Sequence, residues 1–479
     1  MAGNSSLFVK GLVWGLVLAY GFFTFFLYGI TAICAGTFFR WPTEKERLEL
    51  LLAKDRLWNL SKQWAGLSHH FLTLKNGFKF HYVSNDFSPS PTAGKPLVIF
   101  MHGFPDSWGI WRHLLASSSI WEDSTVVAVD LPGYGGTDSL EKYSATVVLE
   151  HLTEFIVEIR KKSGVDDADD RKRAGKVILV GHDWGAVLGF RLAAEAPQLA
   201  DRFILSNGPL LPLAKSNLSG AISSSGKMFT EFLRNPFHSH HLLLKSLSAL
   251  KPLFRQLLLS GYIFVFQLPM PMVRFTGSGG NYSFLKAVHR SAAGNVVEFT
   301  VRDAEESMAS TLGPGPAECK TTTNDPAHDT YSPSVIQRIK RGNFGDTTSY
   351  YRHGTATGTW HKSLQAISSL HEIGESQRSS IGLPLQADAE GALKANTTIV
   401  WGQLDTALDP RVMLEGIADY LVHGSQVVML PRTAHFSPME VEGRRALERA
   451  VVWAIQGEKG DVTECIREVY PGAMAMVRK

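Results

Sequence analysis

The sequence predicts an α/β fold: a mostly parallel sheet carrying an inserted, mainly helical cap domain, behind an N-terminal transmembrane helix. Three observations carry this. Short apolar runs alternate with helical patterns from Phe71 to Ser206 and again from Thr397 to Ile455, as buried parallel strands and their crossovers do. Between about Pro209 and Lys394 that alternation stops. Near the start, Gly11 to Phe39 contains no charged residue over 29 positions, more than the ~20 needed to cross a bilayer.

The 479 residues carry 48 basic and 45 acidic side chains, a formal net charge of +3. Without zinc-ligand spacing or a basic recognition helix, that balance gives no indication of nucleic acid as a partner. Cys34, Cys319 and Cys465 are scattered and odd in number, so neither a disulfide framework nor a metal site is expected.

The charge-free run is too long for the ~7–15-residue apolar core of a cleaved signal, and a retained anchor in contact with membrane lipid is expected. Only Lys10 precedes it, whereas Arg40, Lys45, Arg47, Lys54 and Arg56 follow. The positive-inside bias puts the remainder of the chain in the cytoplasm, as for a single-pass protein of the endoplasmic reticulum. Five Asn-X-Ser/Thr sequons, at Asn4, Asn59, Asn217, Asn281 and Asn396, count the other way, because such sites are used only on the lumenal side.

Five segments follow: an anchor over 1–40, a connecting helix within 41–70 (Glu44 to Ala65), a first part of the α/β core over 71–208, the cap over 209–394 and a second core part over 395–479. Alternating residues around Asn76-Gly77 predict a hairpin. Ser88–Pro96 and Ser163–Gly175 read as loops, the second a charged surface insertion. Strands are expected at Leu97–Met101, Thr125–Val129, Lys176–Val180, Arg202–Ser206, Thr397–Trp401 and Gln426–Leu430. Helices are expected at Ser144–Lys162, after Gly185, around Val412–Leu421 and at Glu442–Ile455. Within the cap, Glu305–Pro333 reads as a loop, rich in Gly, Pro, Thr and acids and poor in apolar residues. No internal repeat is evident.

The chain is organised around Gly181-His182-Asp183-Trp184-Gly185, between an apolar strand and a small-residue helix. Flanking glycines let the backbone crowd in a sharp strand-to-helix turn that lifts the central side chain to the top of the sheet. An ordinary turn with an acid near a helix N-terminus would use the same residues. Two more strand ends supply partners. Asp405 follows the strand ending at Trp401, with Asp409 a rival four residues on, and His435 follows the strand ending at Leu430. The chain order, nucleophile then acid then histidine, is that of the α/β-hydrolase triad. His102-Gly103-Phe104-Pro105 offers the Phe104 N–H, which with that of Trp184 would form an oxyanion hole; His102 itself reads as structural.

A carboxylate in the nucleophile position narrows the chemistry. It suits displacement at saturated carbon, giving an alkyl ester whose hydrolysis needs the oxyanion hole and a base. The substrate class is therefore an epoxide or a halide. His102-Gly103-Phe104-Pro105 with Gly181 to Gly185 resembles the epoxide hydrolases of the α/β-hydrolase superfamily. The resemblance runs from about Phe71 to the C-terminal helix, excludes the anchor, and finds Glu305–Pro333 enlarged. It implies an α/β-hydrolase fold, conversion of a small apolar epoxide and water to a diol, no cofactor, and two cap tyrosines that hydrogen-bond the epoxide oxygen. Tyr262-Ile263-Phe264-Val265-Phe266-Gln267 matches the context of one tyrosine. Tyr350-Tyr351-Arg352 matches the other and points to Tyr351, with Tyr350 able to trade places.

Two other readings stand beside this one. A haloalkane or haloacid dehalogenase would use the same triad with indole donors; Trp184 offers one, and Phe104 stands where that pattern would place Asn. A non-catalytic receptor for a small apolar ligand would use the same scaffold. Finally, Leu211–Arg274 holds seven basic residues against a single acid, Glu231, interleaved with Leu and Phe clusters. These are either cap core with solvated charges or a face resting on an anionic membrane.

Overall fold

The computed structural model describes residues 2–85, 95–166, 175–294, 299–378 and 390–479. Most of the loops expected at 88–96 and 163–175 lie outside them. Helices α1 (Ala2–Cys34) and α2 (Glu44–Trp58) come first, followed by β1 (Ser68–Thr73) and β2 (Lys79–Ser84). The chain continues with β3 (Leu97–Met101), α3 (Ser118–Trp121), β4 (Thr125–Val129), α4 (Ala145–Ser163), β5 (Val177–His182), α5 (Trp184–Glu195) and β6 (Arg202–Ser206). A helical insertion holds α6 (Leu211–Arg234), α7 (His240–Ala249), α8 (Lys251–Leu259), α9 (Gly261–Val265), α10 (Met270–Ala292), α11 (Val301–Leu312), α12 (Pro333–Arg341), α13 (Phe344–Thr347) and α14 (Leu364–Arg378). The sheet resumes with β7 (Thr397–Gly402), α15 (Pro410–Leu414), β8 (Gln426–Leu430), α16 (Val441–Ile455), α17 (Val462–Arg467) and β9 (Met474–Arg478).

The nine strands lie in the order β1-β2-β4-β3-β5-β6-β7-β8-β9. Strands β4, β3, β5, β6, β7 and β8 run parallel, and β1, β2 and β9 add antiparallel edges. Alternate residues of β3 enter different cores: Leu97, Ile99 and Met101 one, Val98 and Phe100 the other. Burial on both faces is why these strands read as continuous apolar runs; each fully buried aliphatic side chain contributes about 1.5–3 kcal/mol. From β3 the chain steps outward to β4, then crosses back to β5 on the other side. The crevice between β3 and β5 is thus a topological switch point, where open α/β sheets bind ligands.

Four expectations need correction. The connecting helix stops at Trp58 rather than Ala65, after starting at a capping box formed by Thr43 and Glu46. The segment Val412–Leu421 is one short helix ended at Leu414, followed by a 3-10 turn at Ile417–Tyr420. The chain does not finish with the helix around Glu442–Ile455: α17 and edge strand β9 follow it.

The fourth correction is the largest. Glu305–Pro333 is not a loop throughout, since α11 runs through its first part from a capping box of Thr300 and Asp303. This helix lies against α2 with a polar buried face. Glu306 pairs with Arg56 at 3.1 Å and Arg112 at 3.4 Å, Ser310 meets Ser107 at 3.0 Å, and Thr311 meets His289 at 2.9 Å. Hydrogen-bonded Glu, Ser and Thr replace the apolar stripe that marks a buried helix face. The remainder is tied down as a strap, with Tyr331 donating to the Trp58 carbonyl at 2.7 Å and Lys79 on Asp329 at 2.6 Å.

Buried Arg338, on α12, fixes the segment after β4 by donating to the carbonyls of Thr137 (2.6 Å), Tyr134 (3.2 Å) and Gly135 (2.5 Å). Arg338→Met keeps the volume and strands those acceptors. A loss of about 3 kcal/mol is expected, read as a lowered thermal midpoint in detergent.

Candidate active site

Asp183 joins the last residue of β5 to the first of α5, with φ of 51° and ψ of −113°. Positive φ is uncommon for a non-glycine residue and costs of order 1–3 kcal/mol. The neighbouring glycines serve contact rather than torsion. A Cβ on Gly185 would lie 2.0 Å from the Met101 carbonyl oxygen, and one on Gly103 would lie 2.3 Å from Asp183 Oδ1. The end of β3 and the first turn of α5 therefore touch backbone to backbone. That approach brings the Phe104 N–H to Asp183 Oδ1, at 2.7 Å. The Phe104–Pro105 bond is cis. The N-terminus of α5 also favours a carboxylate at this position.

His102 is buried and donates nothing to this centre: its Nε2 accepts from Leu131 N–H at 2.9 Å, and its Nδ1 faces the Gly103 carbonyl at 2.9 Å. Asp130, at the end of β4, ties the same loops together. Its carboxylate accepts from Trp108 and Gly136 N–H, each at 2.8 Å, and meets His81 Nδ1 at 2.7 Å.

Across the crevice, His435 Nε2 stands 3.6 Å from Asp183 Oδ2, and Nδ1 stands 2.9 Å from Asp405 Oδ2. Asp405 is buried and fully engaged. Its Oδ1 accepts from Ala407 and Leu408 N–H at 2.7 and 2.9 Å, and its Oδ2 from Asn207 at 2.8 Å. Asp409 faces elsewhere: it caps α15 and pairs with Arg411 at 2.7 Å. Asp405 is thus the acid that contacts His435.

Two contributors escape sequence reasoning. Asn207, just past β6 at a φ of 47°, holds Asp405; its only signal was an Asn-Gly-Pro run at a strand end. Glu440 accepts the Ala434 N–H with both oxygens, at 3.0 and 2.9 Å, bracing the His435 loop. Burial pushes its carboxyl up to about 7 against that hydrogen bond.

Tyr351 packs edge-on against Trp184, Phe104 and Tyr262, at centroid distances of 4.9, 5.6 and 6.0 Å. Tyr350 turns the other way and donates to the Pro132 carbonyl at 3.0 Å. Burial, and then the Asp183 charge, push the Tyr262 phenol well above its ordinary range. Burial, Tyr262 and Asp183 do the same to Tyr351. Both remain protonated hydrogen-bond donors. Asp183, His435, Phe104, Tyr262 and Tyr351 line one cavity of about 660 Å³, whose other walls are largely apolar.

Burial alone would lower the His435 pKa. The Asp405 charge and hydrogen bonds to Asp183 and Asp405 outweigh it and raise the imidazole to about 10. A folded-state value above the unfolded ~6.5 stabilises the fold fully below that pH, and the contribution is lost as pH rises through the folded value. Asp405→Asn removes the largest upward cause. Imidazole nitrogen shifts should show His435 protonated at pH 8 in the native protein, and titrating at lower pH in the variant.

A family model described as the alpha/beta hydrolase fold matches residues 96–295. The chain is 27% identical over 212 residues to epoxide hydrolase 3 of Mus musculus, which covers 42% of this chain and 44% of that protein. It is 32% identical over 143 residues to epoxide hydrolase 4 of Mus musculus, covering 30% and 35%. The match thus spans less than half the length of either relative. Among solved structures, an epoxide hydrolase of Bacillus megaterium in complex with an inhibitor is 22% identical with a TM-score of 0.46, covering 81% of this chain and 99% of that one. Residues 96–295 thus match the alpha/beta hydrolase fold, in keeping with the strand order and the carboxylate elbow already described, and the chain is similar over part of its length to proteins named as epoxide hydrolases.

Proposed function

We propose that the protein is a membrane-anchored epoxide hydrolase that converts lipophilic epoxides to vicinal diols through an ester on Asp183, with the helical insertion as its cap. One observation carries the reading: a single carboxylate receives the Phe104 N–H on one oxygen and faces His435 with the other, beneath two phenols. Oδ2 attacks a ring carbon in line. The carbon–oxygen bond breaks, its electron pair stays on the ring oxygen, and Tyr262 or Tyr351 supplies the proton. Oδ1 then becomes the ester carbonyl oxygen, already at the Phe104 amide.

Ester formation removes the Asp183 charge, one of the two that hold a proton on His435. The imidazole's proton affinity falls and its resting proton passes to the phenolate, restoring the phenol; the neutral ring then takes a proton from water, with Asp405 orienting it and stabilising the cation that re-forms. The hydroxide adds to the ester carbon. Its oxyanion is held by Phe104 N–H and, as second donor, Trp184 N–H at the start of α5. Collapse expels the alkoxide, which takes the remaining proton of the added hydroxide, so the carboxylate returns, the diol leaves and His435 is protonated as at the start.

Asp183→Asn should lower turnover by about 10⁴-fold or more, and Tyr262→Phe and Tyr351→Phe by about 10- to 100-fold each, in diol formation from an epoxide panel. His435→Gln should accumulate the ester, read as an added substrate mass on the intact protein. An unmodified His435→Gln protein, incubated with an epoxide that the native protein turns over, would overturn the mechanism.

The same reading places α1 across the membrane and the remainder on the cytoplasmic side. Apart from α1 (over Val9–Cys34), no helix among the described residues is both long and apolar enough to span. Three sequon amides are already in use: Asn59 on Asp55 at 2.8 Å, Asn217 on the Val412 and Glu415 carbonyls, and Asn281 on the Arg40 carbonyl at 3.1 Å. Glycosidase treatment of an Asn4→Gln variant, which lacks the sequon on the far side of α1, should leave its mobility unchanged when it is made in a eukaryotic host; a shift would place the domain in the lumen.

A further inference from the structure

We infer that the reaction cavity opens into the hydrocarbon of the bilayer, with the anchor helix as one of its walls, and that the substrate enters sideways from the membrane. The inference rests on the epoxide-hydrolase reading for what enters, and on the packing of α1 for the route. The substrate class is an epoxide borne on a long apolar chain, which partitions into lipid before it meets the protein.

The anchor is packed into the fold rather than joined to it by a leash. Tyr20 donates to the Leu257 carbonyl at 2.9 Å, and its ring meets Phe264 edge-on at 4.8 Å. A Cβ on Gly21 would lie 2.5 Å from the Phe264 carbonyl oxygen, and Thr24 is buried against Gly261. These contacts fall 10 to 14 residues before the end of α1 at Cys34, so at 1.5 Å per residue they lie roughly 15–21 Å along it. A helix that crosses a bilayer with about 30 Å of hydrocarbon therefore carries α8 and α9 in at that depth.

The outer surface of the insertion suits that place. Leu244, Leu247, Phe254 and Leu258 are exposed, Leu258 by 75%. Of the basic residues among them, Arg255 lies 3.7 Å from the buried Asp409 carboxylate, and Lys245 and Lys251 cover apolar surface with their long stems. A water-facing surface gains nothing from this many exposed large apolar residues side by side. Of the two readings the sequence left open for this basic, apolar segment, the packing of α1 favours the membrane face.

The anchor also lines the cavity. Phe26 and Ile33 of α1 and Phe275 of α10 are exposed on its rim; Tyr28, Gly29 and Ala32 continue inward toward Tyr262, Asp183 and His435. Beside the mouth, α10 breaks at Gly279–Tyr282, where Gly280, Asn281 and Tyr282 all take positive φ. Phe38 packs into that break, and Asn281 donates to the Arg40 carbonyl. A molecule dissolved among lipid chains thus reaches Asp183 without crossing water.

Full-length protein in phosphatidylcholine vesicles tests the route in two arms. With Cys34, Cys319 and Cys465 changed to serine, an environment-sensitive fluorophore is placed at Leu258→Cys or Leu244→Cys, with Met476→Cys on β9 as the aqueous comparison. Lipid-borne quenchers should reach the first two and aqueous iodide only the third; iodide quenching at Leu258 and Leu244 overturns the immersion. This arm needs no turnover, so it stands or falls apart from the enzymatic reading.

The second arm is Gly29→Trp, at a position where an added Cβ meets nothing within 4 Å. For a long-chain epoxide supplied in vesicles, KM should rise about tenfold with kcat within about twofold. An unchanged KM in a protein of native thermal midpoint overturns the route. Absence of turnover of every epoxide by the unaltered protein would instead overturn the enzymatic reading.

Discussion

The site depends on a contact between two pieces of backbone. The end of β3 and the first turn of α5 approach so closely that a single methyl at Gly185 would collide with the Met101 carbonyl. Because the strands are buried on both faces, neither can move aside cheaply. The approach forces positive φ onto Asp183 and sets its carboxylate against the Phe104 amide. Every other component is arranged around that fixed point. Asp130 and His102 hold the loop that carries Phe104, and Glu440 braces the loop that brings His435 across.

The two carboxylates beside His435 are chemically alike and differently solvated. Asp405 is buried, with three donors besides the imidazole, which fix the carboxylate in place. Asp183 has one oxygen engaged by an amide and the other turned into the cavity, 3.6 Å from the histidine. The proposed difference in their roles rests on this difference in hydrogen bonding. Asn207, unremarkable in sequence, sustains it from the end of β6.

The parallel strands and the residues that meet at their carboxyl ends were legible because local composition and topology agree there. Apolar runs fix the strands, and the order of strands brings Asp183, Asp405 and His435 together. Legibility failed where burial is polar. Helix α11 hides its inward face in Glu, Ser and Thr, so a pattern of apolar spacing reads it as a loop. Strand β9 shows alternating half-burial at the sheet edge, with no continuous apolar run to mark it. Asp405 against Asp409, and Tyr351 against Tyr350, are choices of side-chain direction, which motif spacing does not encode. Asn207 and Glu440 act through hydrogen bonds to loops distant in sequence, and nothing in the linear sequence joins those positions.

The packing of α1 bears on what a shortened chain would be. Begun at Arg40, it would keep every residue of the Asp183–His435–Asp405 cluster and every strand of the sheet. It would lose the partner of the Leu257 carbonyl, the aromatic neighbour of Phe264 and the packing that buries Gly261. The vessel would lack a side while its chemistry stayed in place. Water would reach a chamber whose walls are mostly apolar, and selectivity among substrates would belong to a different molecule.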